Sequence, residues 1–255
     1  MTEDEFSALL LHSSERPEAR EALAPYRVRN AILLAAGTGS RLAPLTDKTP
    51  KGLLRVRGER LVERQIRQLQ AAGIDEIVLV VGHLKEQFAY LADEMGVHIV
   101  ENPDYRVCNN TSSLYRVLDF LDNSYICSAD NYFTENVFTP YVYRSYYAAV
   151  YSDVPTREYY LTTNGDGQIT EVNIGGAHGW YMLGQVYWSR SFSSKFRALL
   201  REEYAEESVR QMLWEQFYMR HIEELALYQK SFSADVIHEF DTLADILAFD
   251  ANFGA

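Results

Sequence analysis

A short loop near the start of the chain carries two glycines and two basic residues at a spacing suited to phosphate binding. Gly37 and Gly39 follow an apolar run, and Arg41 and Lys51 come shortly after them. Glycine lets the backbone approach a ligand closely and turn its N–H groups toward an anion, and the two basic side chains add positive charge. The loop lacks the Walker pattern GxxxxGK[ST], and Leu42 replaces the third glycine of a GxGxxG motif. GxG alone would be more typical of a tight turn after a strand.

Two aspartates stand where strands are expected to end. Asp130 closes an apolar run in Ser-Ala-Asp-Asn, and Asp241 follows a second short run in Glu-Phe-Asp-Thr. The carboxyl ends of strands form the edge at which open α/β sheets bind their ligands. Either aspartate alone would more often cap a helix, and this interpretation is serious for Asp241, because a helical segment follows it. The pair therefore indicates a carboxylate site only if the fold brings both strand ends together.

The first half of the chain alternates between buried strands and amphipathic helices. Continuous apolar runs, which are typical of strands buried on both faces of a parallel sheet, occur at 31–35, 77–81, 97–100 and 125–127. Helical spacing of apolar residues occurs at 60–72 and 84–94. This alternation predicts an α/β fold with a doubly wound, mostly parallel sheet of the Rossmann kind.

The second half has a different pattern. Strand-like stretches rich in tyrosine are separated by turn signals such as Asn-Gly-Asp-Gly at 164–167, and helices follow them. We expect an antiparallel excursion of the sheet and a C-terminal helical lid over its carboxyl edge. The predicted strands are 144–151, 158–163, 168–174, 181–188 and 236–237, and the predicted helices are 190–203, 208–221 and a last one capped by Asp241 or Thr242.

Domain organisation follows from the same patterns. Residues 1–27 are acidic and form an N-terminal appendage that docks weakly or is mobile, and residues 28–255 form one domain. The change of pattern near residue 140 divides that domain into the halves 28–140 and 141–255.

Composition excludes several classes of function. The 255 residues include 36 acidic and 24 basic side chains, giving a formal charge of −12, so the chain is a poor candidate for nucleic-acid binding. Its two cysteines cannot form a disulfide framework, and its six histidines show no metal-ligand spacing. We find no signal peptide and no apolar run near the length of a membrane span, so we expect a cytoplasmic protein without a membrane partner.

The whole glycine-loop string is more specific than its parts. Residues 34–51 read LAAGxGxRLxPLTxxxPK, which resembles the signature of nucleotidyltransferases that activate sugar phosphates and related phosphate esters. Further motifs are similar to those of the bacterial phosphocholine cytidylyltransferases, and the similarity runs from about residue 29 to residue 250. These motifs lie at 81–88, 109–115, 123–132, 212–215 and 238–241. The resemblance implies that 28–255 is a nucleotidyltransferase domain, with 28–140 as its nucleotide-binding half and 141–255 as its acceptor-binding half.

The resemblance implies roles for the residues of the loop and the strand ends. It implies that Arg41 binds the triphosphate of CTP, that Lys51 lies between the acceptor phosphate and the α-phosphate, and that Asp130 and Asp241 bind Mg²⁺. An acceptor phosphate oxygen would attack the α-phosphorus in line and release pyrophosphate, with no covalent enzyme intermediate. The remaining nucleotide-binding residues implied are Ala35, Ala36, Gly37, Thr38, Gly39, Glu86, Asn110 and Ser113.

The acceptor implied by the resemblance is phosphocholine. A quaternary ammonium donates no hydrogen bonds and is recognised by aromatic faces together with a nearby carboxylate. The candidate residues are Tyr159, Tyr187, Trp214, Glu215 and Glu239, with Trp188 and Glu158 as weaker ones, although aromatic residues at strand and helix spacing are often simply core.

Three alternatives to this acceptor stay open. Tyr159 stands where the family has tryptophan, and this leaves room for an acceptor with a primary amine, such as 2-aminoethylphosphonate. A sugar 1-phosphate acceptor and a catalytically inactive nucleotide-binding domain are more distant alternatives.

Overall fold

The computed structural model describes residues 1–13 and 16–254. The strands are β1 Asn30–Ala35, β2 Arg55–Val56, β3 Glu59–Arg60, β4 Ile77–Val81, β5 His98–Glu101, β6 Ser124–Ser128, β7 Asn131–Phe133, β8 Tyr146–Ser152, β9 Thr156–Thr163, β10 Ile169–Gly176, β11 Gly179–Trp188, β12 Tyr228–Phe232 and β13 Ile237–Glu239. The α-helices are α1 Glu3–Leu11, α2 Pro17–Leu23, α3 Leu61–Ala71, α4 Tyr90–Met95, α5 Asn110–Arg116, α6 Arg190–Glu203, α7 Glu207–Arg210, α8 Trp214–Arg220 and α9 Leu243–Phe249.

The main sheet joins a parallel half to an antiparallel half. Its strand order is β10-β9-β11-β6-β1-β4-β5, and β8 pairs with β11 and β12. Strands β6, β1, β4 and β5 are parallel, and β11 then pairs with β6 in the opposite direction. The α/β class and the antiparallel excursion are thus confirmed, and β1 and β6 end side by side at the carboxyl edge.

Both faces of the sheet are covered, which explains the continuous apolar runs. On β1, Leu33 faces one core with α3, whereas Ile32 faces a second core built from α5, α6 and α8. Trp188 at the end of β11 packs in this second core against Phe192 and Phe196 of α6. The C-terminal helices therefore pack mainly on a face of the sheet, and Leu213 just before α8 reaches the cavity at the carboxyl edge.

Two predicted helices are interrupted. The segment expected at 84–94 starts with Leu84 at φ 49°, forms a 3₁₀ turn over Lys85–Phe88 and becomes α-helical only in α4. The helix expected at 208–221 is divided into α7 and α8 by extended backbone at Leu213. This break lets the Trp214 backbone N–H donate to the Asn110 side-chain oxygen at 2.6 Å, a long-range contact that local periodicity cannot indicate. No helix of the described part of the chain is long and apolar enough to cross a membrane.

The N-terminal appendage is docked at the end of the sheet away from the glycine loop. Phe6 of α1 is 7% exposed and packs against Tyr26 and Tyr143 with ring centroids 5.2 and 5.5 Å apart. The backbone N–H of Val28 donates to the Pro140 carbonyl, which leads the chain into β1. The appendage therefore contacts the amino ends of the strands.

We expect Phe6→Ala to lower stability without affecting catalysis. Losing a buried phenylalanine costs about 3 kcal/mol in a core, and less where the segment can undock as a unit, so thermal unfolding should shift down by a few degrees. The turnover rate should stay within about twofold, because α1 lies at the opposite end of the strands. Thermal denaturation and a steady-state assay would check this, and a loss of activity in a folded Phe6→Ala variant would contradict it. Leu11→Ala is the matched control, because Leu11 is 80% exposed.

Candidate active site

The glycine loop is held in a fixed shape by its own side chains. Gly39 adopts φ +63°, and a Cβ at this position would lie 2.9 Å from Cγ2 of Thr46. The Thr46 hydroxyl donates to the Gly39 carbonyl at 2.9 Å, and the Thr46 carbonyl lies 2.7 Å from Nε2 of His83. Glycine is thus required both by the positive φ and by the lack of space.

A cavity of about 310 Å³ opens beside this loop at the carboxyl ends of β1 and β6. The predicted site residues that line it are Ala35, Ala36, Gly37, Gly39, Arg41, Lys51, Asn110, Ser113 and Asp130. Thr38 is exposed in the loop and does not line this cavity. The structure therefore brings the first loop and the start of α5 together around one space.

Asn102, Tyr105 and Cys108 are among the residues that line the cavity and are absent from the sequence-based prediction. Asn102 is 1% exposed, and its side-chain amide donates to the hydroxyls of Ser112 and Ser113 at 2.8 and 3.0 Å. Tyr105 and Cys108 also line the cavity. Asn102 directly follows β5, so the criterion that identified Asp130, a polar residue just after a strand, could also have identified Asn102. Tyr105 and Cys108 lie in a turn and carry no such signal in the sequence.

The two predicted aspartates meet at Lys51. Its Nζ lies 2.6 Å from Oδ2 of Asp130 and 3.1 Å from Oδ1 of Asp241, and Arg41 reaches the same Asp241 oxygen at 2.7 Å. Burial alone would lower the pKa of Lys51, but Asp130 and the neighbouring carboxylates outweigh this penalty and hold the pKa above its ordinary value. The fold thus joins residues that are 190 positions apart into one charged cluster.

Glu239 adds a third carboxylate behind this cluster. It pairs with Asn131 in the β13–β7 register, so it lies next to Asp130. Burial and the charges of Asp130, Asp241 and Glu158 raise the pKa of Glu239 well above its ordinary value, against the opposing effect of Lys51. The predicted Glu239 is therefore part of the charged cluster, two residues before Asp241.

The donor set of Asp130 and Asp241 fits a hard divalent cation such as Mg²⁺. Oδ1 of Asp130 is buried and has no hydrogen-bond partner among the described residues, so this oxygen is available to a further cation. The described residues contain no group of three or more His, Cys, Asp or Glu side chains that could hold a metal ion. A cation bound by these two carboxylates would take its other ligands from substrate phosphates and water, which is the usual way that proteins bind Mg²⁺.

A second cavity, of about 490 Å³, is lined by Glu239 and Asp241. Glu158 of β9 and Tyr181 of β11 line it, together with residues of α9. Burial, followed by the charge of Asp241, raises the pKa of Glu158. This cavity is acidic and partly aromatic, and it shares Glu239 and Asp241 with the charged cluster.

The other predicted acceptor residues form a group with Tyr147. The rings of Tyr147 and Trp214 stack with centroids 5.5 Å apart, and the Tyr147 hydroxyl donates to Oε1 of Glu215 at 3.2 Å. Oε2 of Glu215 is buried without a partner in the described structure, and burial raises the pKa of Glu215 to about 7. Tyr159 is half-buried, and burial followed by the charges of Glu215 and Glu158 raises the pKa of its hydroxyl. Trp214 is 3% exposed, so it packs against the Tyr147 ring as a core residue.

Two predicted site residues are placed elsewhere. Tyr187 is fully buried among Tyr125 and Tyr146, because β11 runs antiparallel to β6 and pairs Tyr187 with the start of β6, at the opposite end from Asp130. The prediction that Tyr187 binds the acceptor is therefore wrong. Glu86 is exposed in a turn that buries Phe88 and does not line the 310 Å³ cavity beside the glycine loop, so its role at the nucleotide stays a prediction. The weaker candidate Trp188 is also core.

Comparisons with known proteins agree with this fold. Residues 31–217 match the family described as the MobA-like NTP transferase domain. The choline-phosphate cytidylyltransferase of Streptococcus pneumoniae is 36% identical over 84% of this chain and 94% of its own length. The 2-aminoethylphosphonate cytidylyltransferase of Lancefieldella rimae is 36% identical over 88% of this chain and 93% of its own length. A solved structure of the S. pneumoniae CTP:phosphocholine cytidylyltransferase superimposes with a TM-score of 0.82, covering 86% of this chain and 96% of that one.

Proposed function

The chain belongs to the MobA-like NTP transferase family and is a nucleotidyltransferase, and from this premise we propose that it transfers CMP from CTP to phosphocholine, giving CDP-choline and pyrophosphate. The observation that carries the proposal is the cluster of Lys51, Asp130 and Asp241 beside a glycine-lined cavity, with further carboxylates and tyrosines next to it. The cavity supplies a site for the nucleotide, and the acidic groups supply a site for a cationic acceptor.

The reaction needs two anions to approach each other. The acceptor phosphate is mostly ionised at neutral pH, since its second pKa is about 6, so it can attack the α-phosphorus without a general base. Arg41 is 68% exposed at the mouth of the cavity and can pair with the triphosphate, while Lys51 lies deeper and can contact both phosphates. The backbone of Gly37 and Gly39 holds the nucleotide, which orients the α-phosphorus toward the acceptor.

Asp130 and Asp241 are the residues that would hold Mg²⁺. When bound, the ion neutralises phosphate charge and polarises the phosphoryl group. Asn110 and Ser113 lie at the cavity wall, where they can contact the nucleotide base or sugar.

The acceptor's cationic group is expected to lie among carboxylates and aromatic rings. Glu215 and Glu239 supply carboxyl groups whose ionised form a bound cation would favour, and Tyr159 and Tyr147 supply ring faces or hydroxyls near them. Cation–π attraction and the carboxylates would together stabilise a quaternary ammonium.

A second candidate acceptor is 2-aminoethylphosphonate. Its primary ammonium needs hydrogen-bond acceptors, and Oε2 of Glu215 is a buried oxygen without a partner among the described residues. The relative named for this substrate is as similar in sequence as the one named for choline phosphate.

Pyrophosphate release measured for all four nucleoside triphosphates against three acceptors would test the proposal. We expect CTP with phosphocholine to give the highest kcat/KM among phosphocholine, 2-aminoethylphosphonate and glucose 1-phosphate. Preference for 2-aminoethylphosphonate would select the second candidate, whereas glucose 1-phosphate with UTP or TTP as the best pair would overturn both.

A further inference from the structure

The space between the two aspartates is occupied by a side chain of the protein itself. The Lys51 ammonium contacts Asp130 at 2.6 Å and Asp241 at 3.1 Å, so it lies where one cation would bridge both carboxylates. The Lys51 side chain is 13% exposed and the two carboxylates are 19% and 26% exposed, so solvent screens these contacts less than it does at an open surface. The ammonium therefore pairs with both candidate metal ligands at once and offsets one of their two negative charges.

The backbone around Lys51 fixes this arrangement. Lys51 begins a 3₁₀ turn, and the next residue, Gly52, packs so closely on Ala129 that a Cβ would lie 3.2 Å from the alanine Cβ. Ala129 precedes Asp130 directly, so the turn is held against the strand end that carries the aspartate. The contact between Lys51 and Asp130 is thus part of the fold rather than a chance meeting of two long surface side chains.

The Lys51 ammonium also borders the 310 Å³ cavity beside the glycine loop. Lys51, Arg41 and Asp130 all line it, so triphosphate oxygens bound there would compete with the carboxylates for the Lys51 ammonium. Lysine carries three donors on a flexible stem, which lets it move from one set of oxygens to another by side-chain rotation.

We propose that Lys51 is a built-in counter-ion that keeps free divalent metal out of the Asp130–Asp241 site until a nucleoside triphosphate draws its ammonium away. Metal and triphosphate then bind with positive coupling, because each ligand favours the arrangement that the other needs. The inference rests on the proposed function in assigning the two aspartates to a metal and the cavity to a nucleoside triphosphate.

Binding of Mn²⁺ as a spectroscopic probe for Mg²⁺ tests this without turnover. In electron paramagnetic resonance titrations without nucleotide or acceptor, Lys51→Met should bind Mn²⁺ about tenfold or more tightly than the unaltered protein, since a competitor that occupies nine-tenths of the sites weakens apparent affinity by that factor. Lys48→Met is the matched control, because Lys48 is an exposed lysine of the same loop and its loss changes the net charge equally. Equal or weaker Mn²⁺ binding by Lys51→Met would overturn the proposal.

A reciprocal measurement covers the case in which Lys51→Met does not fold. With EDTA present, Asp130→Asn should bind CTP several-fold more tightly than the unaltered protein, because it releases the Lys51 ammonium to the phosphates. Glu158→Gln removes a nearby negative charge without touching Lys51 and should give a smaller gain. Equal gains in the two variants would mean that general repulsion, and not release of Lys51, controls nucleotide binding, which would also overturn the proposal. Since no acceptor is present, these outcomes are independent of which acceptor the enzyme uses.

Discussion

Asp130→Asn and Asp241→Asn should each lower kcat by about a thousandfold or more, which corresponds to roughly 4 kcal/mol of lost transition-state stabilisation. Each substitution preserves the shape of the side chain but removes the negative charge that would hold Mg²⁺ against the phosphates. Loss of charge at Asp130 also leaves Lys51 without its 2.6 Å partner. Initial rates of pyrophosphate release over a range of Mg²⁺ concentrations would measure the effect.

Asp153→Asn is the matched control for these two variants. Asp153 is 83% exposed and its only ionic contact among the described residues is with His178 at 3.9 Å, so its loss should leave kcat within about twofold. If Asp130→Asn or Asp241→Asn were folded and retained more than a tenth of the activity, the assignment of the pair to a metal would be wrong. A partial recovery of rate at high Mg²⁺ would support weakened metal binding.

The part of the site that local sequence could predict is the part made by strand ends. The carboxyl ends of β1 and β6 are adjacent because both strands are parallel and neighbouring, so Gly37 and Asp130 had to meet if the doubly wound fold was correct. Placing Asp241 beside Asp130 also requires the antiparallel pairing of β13 with β7, which follows Asp130 directly. The motif at 238–241 suggested that Asp241 belongs to the site, but no hydrophobic periodicity in the sequence indicates that strand pairing.

The acceptor side was predicted less well because the direction of an antiparallel strand decides which end each residue reaches. Tyr187 and Tyr181 lie on the same strand, β11, yet Tyr187 is in the core and Tyr181 lines the acidic cavity. Tyr147 was missed because neighbouring tyrosines on β8 look alike in sequence, and only the stacked Trp214 and the Glu215 contact distinguish it. Burial and long-range pairing, rather than residue type, decide between core and site.

Glu215→Gln should stabilise the ligand-free protein at pH 8 while impairing use of a cationic acceptor. The pKa of Glu215 is about 7 in the folded protein and near 4.5 when unfolded, because burial disfavours the charged carboxylate. The folded state then holds the proton more tightly, so the free energy of unfolding falls as pH rises from about 4.5 through 7. Glutamine removes this loss, and the gain at pH 8 should be on the order of 2 kcal/mol, with little gain near pH 4.

Binding of the acceptor should respond to the Glu215→Gln substitution in the opposite way to stability: it should weaken. Because a cation bound at Glu215 favours the ionised carboxylate, the KM for phosphocholine should fall in the unaltered enzyme as pH rises through 7. The Glu215→Gln variant should lack this pH dependence and show a KM for phosphocholine about tenfold higher at pH 8. Glu171→Gln is the control, since Glu171 is an exposed carboxylate on β10 and its loss should change neither quantity. Urea unfolding at pH 5 and 8, combined with KM profiles for phosphocholine and CTP, separates the two effects. A rise in the KM of CTP alone would place Glu215 at the nucleotide. Stabilisation without any change in KM would make Glu215 a buried carboxyl of the core. A site for a cation requires a carboxylate that weakens the ligand-free fold and tightens the acceptor complex.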